Sequence, residues 1–163
     1  MTLLVVSAAG PVLIIVCGLP GSGKTTMATS LAAERGGIRL CPDDWMAALE
    51  ISLWDEGTRD RVERLQWELG RDLLRLGNVV IIEWGTWGRG ERDRLRIEAR
   101  GLGARTELIF LNPPLDELWR RIVARQQEDP PIPRAELDRW DAVFERPDAA
   151  EAGAFDAVSV IDD

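Results

Sequence analysis

The stretch Gly18-Leu19-Pro20-Gly21-Ser22-Gly23-Lys24-Thr25-Thr26 constrains this chain more than any other. It sets Gly18, Gly23, Lys24 and Thr25 into the pattern G-x-x-x-x-G-K-[ST]. Glycines let successive backbone N–H groups turn inward around a polyphosphate. The lysine then reaches the β- and γ-phosphates, and the Thr25 hydroxyl holds Mg2+. Ahead of the loop, the β-branched run Val12 to Val16 reads as a strand. Behind it, Met27 to Arg35 reads as a helix, so the phosphates meet a helix N-terminus. Gly21, Ser22, Gly23, Lys24, Thr25 and Thr26 are the expected nucleotide-binding residues. Lys24 is also the only lysine of the chain; every other cationic side chain is arginine. A compact ammonium suits a cramped phosphate cradle, where a planar guanidinium fork does not fit.

A chain of 163 residues is expected to form one domain over residues 1–163, with a sizeable core. Its net charge of −8 disfavours a broad phosphate-tracking surface, and so disfavours nucleic acid as a partner. There is no histidine, so acid–base work falls mainly to carboxylates. Two cysteines without histidine exclude a Cys/His zinc site. Cys17 and Cys41 read as small core residues of a reduced, cytoplasmic protein. The apolar run Thr2 to Leu19 is broken by Gly10-Pro11, and no positive residue precedes it. It reads as two β segments, the first over residues 2–9, and not as a signal peptide or membrane span.

Along the chain, Gly36-Gly37 stops the first helix and Ile38 to Cys41 forms a short strand. Asp43 or Asp44 could cap a helix running through Trp45 to Leu53, with Thr58 a possible cap for the next. Val62, Leu65, Leu69, Leu73 and Leu76 recur at helical spacing. Val79 to Ile82 is a wholly apolar strand of the buried, parallel type, ending at Glu83. The loop Trp84-Gly85-Thr86-Trp87-Gly88 leads to an Arg-rich helix over Glu91 to Arg100. Thr106 to Leu111, a helix through Leu115 to Val123, an irregular loop over Gln126 to Pro133, a helix over Arg134 to Phe144 and a last strand over Ala157 to Ile161 complete it. Strands alternating with helices predict a doubly wound α/β sheet.

Ligands of such sheets bind outside the carboxyl ends of the strands. The loop, Asp43-Asp44 and Glu83 all lie there. These pieces, with Asn78 to Gly85, Trp87, Arg89, Arg92 and Leu118 to Arg125, resemble the small P-loop kinases related to polynucleotide 5′-kinases, zeta toxins and chloramphenicol phosphotransferase. The resemblance is nearest to short bacterial AAA-family ATP-binding "predicted kinases". It implies the P-loop NTPase fold: a five-stranded parallel sheet of order 2-3-1-4-5 with helices on both faces. ATP and Mg2+ are the implied cofactors, with Thr25 and Glu83 at the metal. Asp43 inherits the general-base role, with Lys24, Arg121 and Arg125 completing the catalytic set. Asp44, Trp45, Trp84, Trp87, Arg89 and Arg92 are the candidate acceptor-binding residues. Those kinases carry an arginine three residues after the base, and here that position is Met46. With the acidic charge, this favours a small-molecule hydroxyl as acceptor. A polynucleotide 5′-hydroxyl kinase is the alternative, resting on the strip Arg89, Arg92, Arg94, Arg96 and Arg100. An ATP-binding regulator without an acceptor is the reading of another class.

Overall fold

The computed structural model describes residues 10–125 and 130–163. The first β segment at 2–9 and residues 126–129 of the irregular loop lie outside the described residues. In chain order the elements are β1 (Val12–Cys17), α1 (Lys24–Arg35), β2 (Ile38–Leu40), α2 (Pro42–Ala48), α3 (Glu56–Arg75), β3 (Val79–Ile82), α4 (Arg89–Gly101), β4 (Arg105–Leu111), α5 (Leu115–Arg125), α6 (Arg134–Val143), α7 (Ala149–Ala152) and β5 (Ala157–Ile161). The sheet order is β2-β3-β1-β4-β5, and every pairing is parallel. This is the α/β order 2-3-1-4-5 expected for a P-loop fold.

Period-two alternation divides β1 between two cores. Leu13, Ile15 and Cys17 face a cluster with Trp67 and Leu74 of α3, Leu95 and Ala99 of α4, and Leu118 and Ile122 of α5. Val12, Ile14 and Val16 face the opposite way, onto Ala28, Met27 and Leu31 of α1. Helices therefore cover both faces. Parallel strands also force the helices that join them to run back antiparallel. The N-terminal halves of α3 and α4 therefore lie at the carboxyl edge of the sheet, beside the loop. Among the described residues no helix is long and apolar enough to cross a membrane.

Two helix boundaries differ from the sequence reading. The helix expected over Trp45 to Leu53 is α2, which begins earlier because Pro42 starts it, and ends at Ala48. There the Ile51 N–H donates to Met46 O at 2.8 Å and the Glu50 N–H donates to Ala47 O at 3.1 Å. That is a Schellman stop, with Glu50 in the left-handed slot at φ 56 where glycine is usual. α3 is capped by Asp55, not Thr58: its carboxylate accepts the Thr58 N–H at 2.9 Å and the Thr58 hydroxyl at 2.8 Å.

Candidate functional site

The loop after β1 turns on glycines at φ 152 (Gly18), 84 (Gly21) and 95 (Gly23). A Cβ at Gly18 would lie 2.6 Å from Leu111 O, and one at Gly21 would lie 3.0 Å from Leu118 O. The loop is thus clamped between the end of β4 and α5. α1 starts on Gly23 with no side-chain cap and no acid in its first turn. Its first N–H groups have no intrahelical acceptor, and the helix dipole favours an anion there. The Ser22 hydroxyl is buried without a hydrogen-bond partner among the described residues. Lys24 folds back over the loop, its Nζ donating to Gly18 O at 2.9 Å and to Leu19 O at 3.0 Å. Burial lowers its pKa to about 8, against the opposing pull of Glu83 and Asp43.

The Thr25 hydroxyl donates to Glu83 Oε1 at 3.1 Å. Glu83 is 5 % exposed, and Arg39 Nη1 lies 2.9 Å from the same oxygen. Its Oε2 is buried without a hydrogen-bond partner among the described residues. The Cys41 thiol, held up to about 12 by burial and by its hydrogen bond to Glu83, packs on the same carboxylate. No group of three or more carboxylates and cysteines that could hold a metal occurs among the described residues. One or two protein oxygens plus substrate phosphates is the way Mg2+ is usually held. Thr25 Oγ1 and the open Glu83 Oε2 fit that mode.

Asp43 and Asp44 sit in the first turn of α2, and the helix has no side-chain cap, so neither is the cap residue. Asp44 pairs with Arg39, linking it to Glu83. Asp43 pairs with Arg59 of α3 at 2.6 Å. Arg39 and Arg59 were not anticipated. Arg39 is the single charge in a three-residue edge strand, the one sequence signal that could have marked it.

On α5, Arg121 Nε donates to Glu117 Oε1 at 2.6 Å. Arg120 shares that carboxylate, and the two arginines hold Glu117 down to about 2. Arg125 ends the helix, close enough to Lys24 for its charge to act on it. Trp45 is half-buried on α2. Trp84 is 5 % exposed and belongs to the core as well as lining a cleft between α3 and α4. Trp87, a candidate acceptor-binding residue, packs on Trp140 with centroids 5.7 Å apart.

Arg89 pairs with Asp93 and Asp148. Arg92, expected to touch the acceptor, is fully buried. Its guanidinium donates to both oxygens of Glu151 at 2.6 and 2.9 Å, and to the carbonyls of Thr86, Trp87 and Glu145. With every N–H engaged, none remains for a ligand. It ties the loop after β3 to the C-terminal segment. Arg92→Met should therefore cost about 3–5 kcal/mol, because Glu151 is left as a buried lone charge. Arg92→Met/Glu151→Leu should recover much of that loss in urea unfolding.

A family model described as an AAA domain (AAA_33) matches residues 13–147. A search of curated proteins finds no match. Among solved structures, a sugar kinase from Janibacter sp. HTCC2649 shares 24 % identity over 93 % of this chain and 85 % of that one, at TM-score 0.63. Kti12 from Chaetomium thermophilum, solved with ADP-AlF3, shares 21 % over 92 % and 88 %, at TM-score 0.67. A chain of the Pnkp1/Rnl/Hen1 RNA repair complex shares 24 % over 83 % of this chain and 44 % of its own, at TM-score 0.69. At these identities the likeness is one of fold.

Proposed function

This chain belongs to the AAA domain family and has the fold of the P-loop kinases, and from that premise we propose that it transfers the γ-phosphoryl group of ATP to a hydroxyl of a small molecule. The observation that carries this reading is the Thr25–Glu83 hydrogen bond at the loop, with Lys24 beside it and Asp43 at the end of β2. An ATP-only regulator has no need for that last carboxylate, whereas a kinase needs a proton acceptor.

In this reading the amides at the start of α1 and the Ser22 hydroxyl receive the phosphates. Lys24 leaves the Gly18 and Leu19 carbonyls for the β- and γ-phosphates. Mg2+, held by Thr25 and Glu83, would neutralise phosphate oxygens when bound. The acceptor oxygen bonds to the γ-phosphorus while the bond to the bridging oxygen of ADP breaks. Asp43 takes the hydroxyl proton and later gives it to water. Arg121 and Arg125 neutralise the transferring group, Arg121 by exchanging Glu117 for phosphate.

The polynucleotide alternative rests on a strip that acidic neighbours offset. Every arginine of the α4 strip has a carboxylate partner: Arg89 with Asp93 and Asp148, Arg92 with Glu151, Arg94 with Glu98, Arg96 with Asp93, and Arg100 with Asp156. Met46, where related kinases carry arginine, is fully buried in the core.

γ-labelled ATP offered with a small-molecule panel and with a 5′-hydroxyl oligonucleotide tests the proposal. Label should pass to a small molecule and not to the oligonucleotide. ADP release that no acceptor stimulates would favour the regulator.

A further inference from the structure

Eleven large apolar side chains are exposed among the described residues, and seven of them fall between Ile38 and Leu76, in β2, α3 and the segment joining α2 to α3. The other four stand singly on α4, α5, α6 and β5. Scattered apolar residues are ordinary on a surface, but a concentration of this kind marks a contact. Its centre is α3. Glu63, Trp67 and Arg71 of that helix face α4 across a cleft, while Val62, Gln66, Gly70 and Leu74 are buried toward the sheet. A Cβ at Gly70 would lie 3.1 Å from Leu40 Cδ1, so α3 sits over β2, the edge strand. The flank of α3 away from α4 therefore overhangs the open edge of the sheet. It carries Leu65, Leu69 and Leu76, exposed by 57, 40 and 74 %. With Asp72 among them they are spaced four, three and four residues apart, the a/d interval of a helix seam.

The charges on this flank select its occupant. Arg61 lies one turn before Leu65, and Asp72 lies one turn after Leu69. Arg61 makes no ion pair among the described residues and donates to the Thr58 hydroxyl at 2.6 Å. Asp72 pairs with Arg75 on its own helix, an exposed pair of little energetic weight. A complement to this flank must present an apolar stripe with an acid and a base at its ends, in reversed order. A second copy of α3, run antiparallel, does so. About a two-fold axis midway between Leu65 and Leu69, each Leu65 meets the partner's Leu69, and each Arg61 approaches the partner's Asp72. Each Leu76 then reaches the first turn of the other helix, next to the exposed Leu53 and Trp54 that precede it. A parallel pair would set like charges together at both ends. A two-fold contact closes on itself and builds a dimer. A bilayer is the poorer occupant, because the flank has no lysine and the chain carries a net charge of −8 against anionic headgroups.

We propose that the Leu65, Leu69 and Leu76 flank of α3 is a dimer interface, with a second copy of this chain paired antiparallel across it through Arg61 and Asp72. The assignment does not depend on the phosphoryl-transfer reading.

Sedimentation velocity on the full chain, from micromolar to submillimolar concentration, tests it. The wild type should pass from one chain to two chains per particle. Leu65→Gln/Leu69→Gln takes four leucines out of the seam and should raise the dissociation constant at least about 100-fold. Arg61→Asp alone and Asp72→Arg alone each create two like-charge contacts and should weaken the dimer about tenfold. Arg61→Asp/Asp72→Arg restores opposite charges and should recover it. All four positions are exposed, so every variant should melt near the wild-type temperature. A wild type that stays a single chain throughout, or a dimer that Leu65→Gln/Leu69→Gln leaves intact, would overturn the proposal. So would weakening by both single charge variants without recovery in the double, because the pairing would then not be antiparallel. Flotation with phosphatidylserine vesicles gives the remaining outcome. A monomeric wild type that floats, with a leucine variant that does not, would overturn the dimer in favour of a membrane surface.

Discussion

Lys24→Ala is expected to lower kcat/KM for phosphoryl transfer at least about 10³-fold, the scale on which a cation at a transferring phosphoryl group acts. No other lysine exists to substitute for it. It is the first residue of α1, so its stem leaves the loop at the point where the helix N–H groups converge. Lys24→Arg should rescue little, because the fork is too wide for a loop clamped by Leu111 and Leu118. The fold should survive. Removing the ammonium frees two loop carbonyls, a loss of about 1 kcal/mol, but it also removes a half-buried charge. The folded state lowers this lysine from its ordinary 10.5 to about 8, so above pH 8 the unfolded chain binds the extra proton. The wild type should gain stability as pH rises through that window, and Lys24→Ala should lack the gain. Thermal melts across pH 7 to 11 measure it; an active, fully stable Lys24→Ala would remove the central assignment.

The loop and the individual strands were legible in the sequence because they rest on local signals, whereas the strand order was implied by the family resemblance. Gly18, Gly21 and Gly23 are demanded by backbone angles that few other residues adopt. Val79 to Ile82 is apolar at every position because both faces are covered, and a central parallel strand leaves that pattern. The misreadings involve contacts between residues far apart in sequence. Arg92 reads as a free cation on a basic helix, yet its acid is Glu151, 59 positions away. Trp87 sits among glycines, which suggests mobility, but Trp140 of α6 covers its ring. The end of α2 was missed for a local reason: Glu50 holds an angle its residue type seldom takes.

Asp43→Asn is expected to cut kcat by roughly 10²–10⁴ while ATP binding persists, the span usual for loss of a general base. Its neighbour provides the control. Both aspartates are exposed and both are paired, Asp43 with Arg59 and Asp44 with Arg39. Exposed pairs contribute about 0–1 kcal/mol, so neither asparagine variant should melt much below the wild type. They differ in what lies behind the arginine. Arg39 also holds Glu83, so Asp44→Asn loosens a group at the proposed metal and should shift the Mg2+ dependence modestly. Arg59 holds no second acid of the site, and its carbonyl partner, Leu53, lies on the segment after α2. Arg59→Ala should therefore leave Asp43 in place and retain far more activity than Asp43→Asn. If Arg59→Ala and Asp43→Asn fall together, the ion pair matters as a structural clasp and Asp43 is not the base. If Asp44→Asn shows the deep kcat loss instead, the proton goes to the second aspartate. Single-turnover rates at saturating ATP, measured on all three variants, decide between these outcomes.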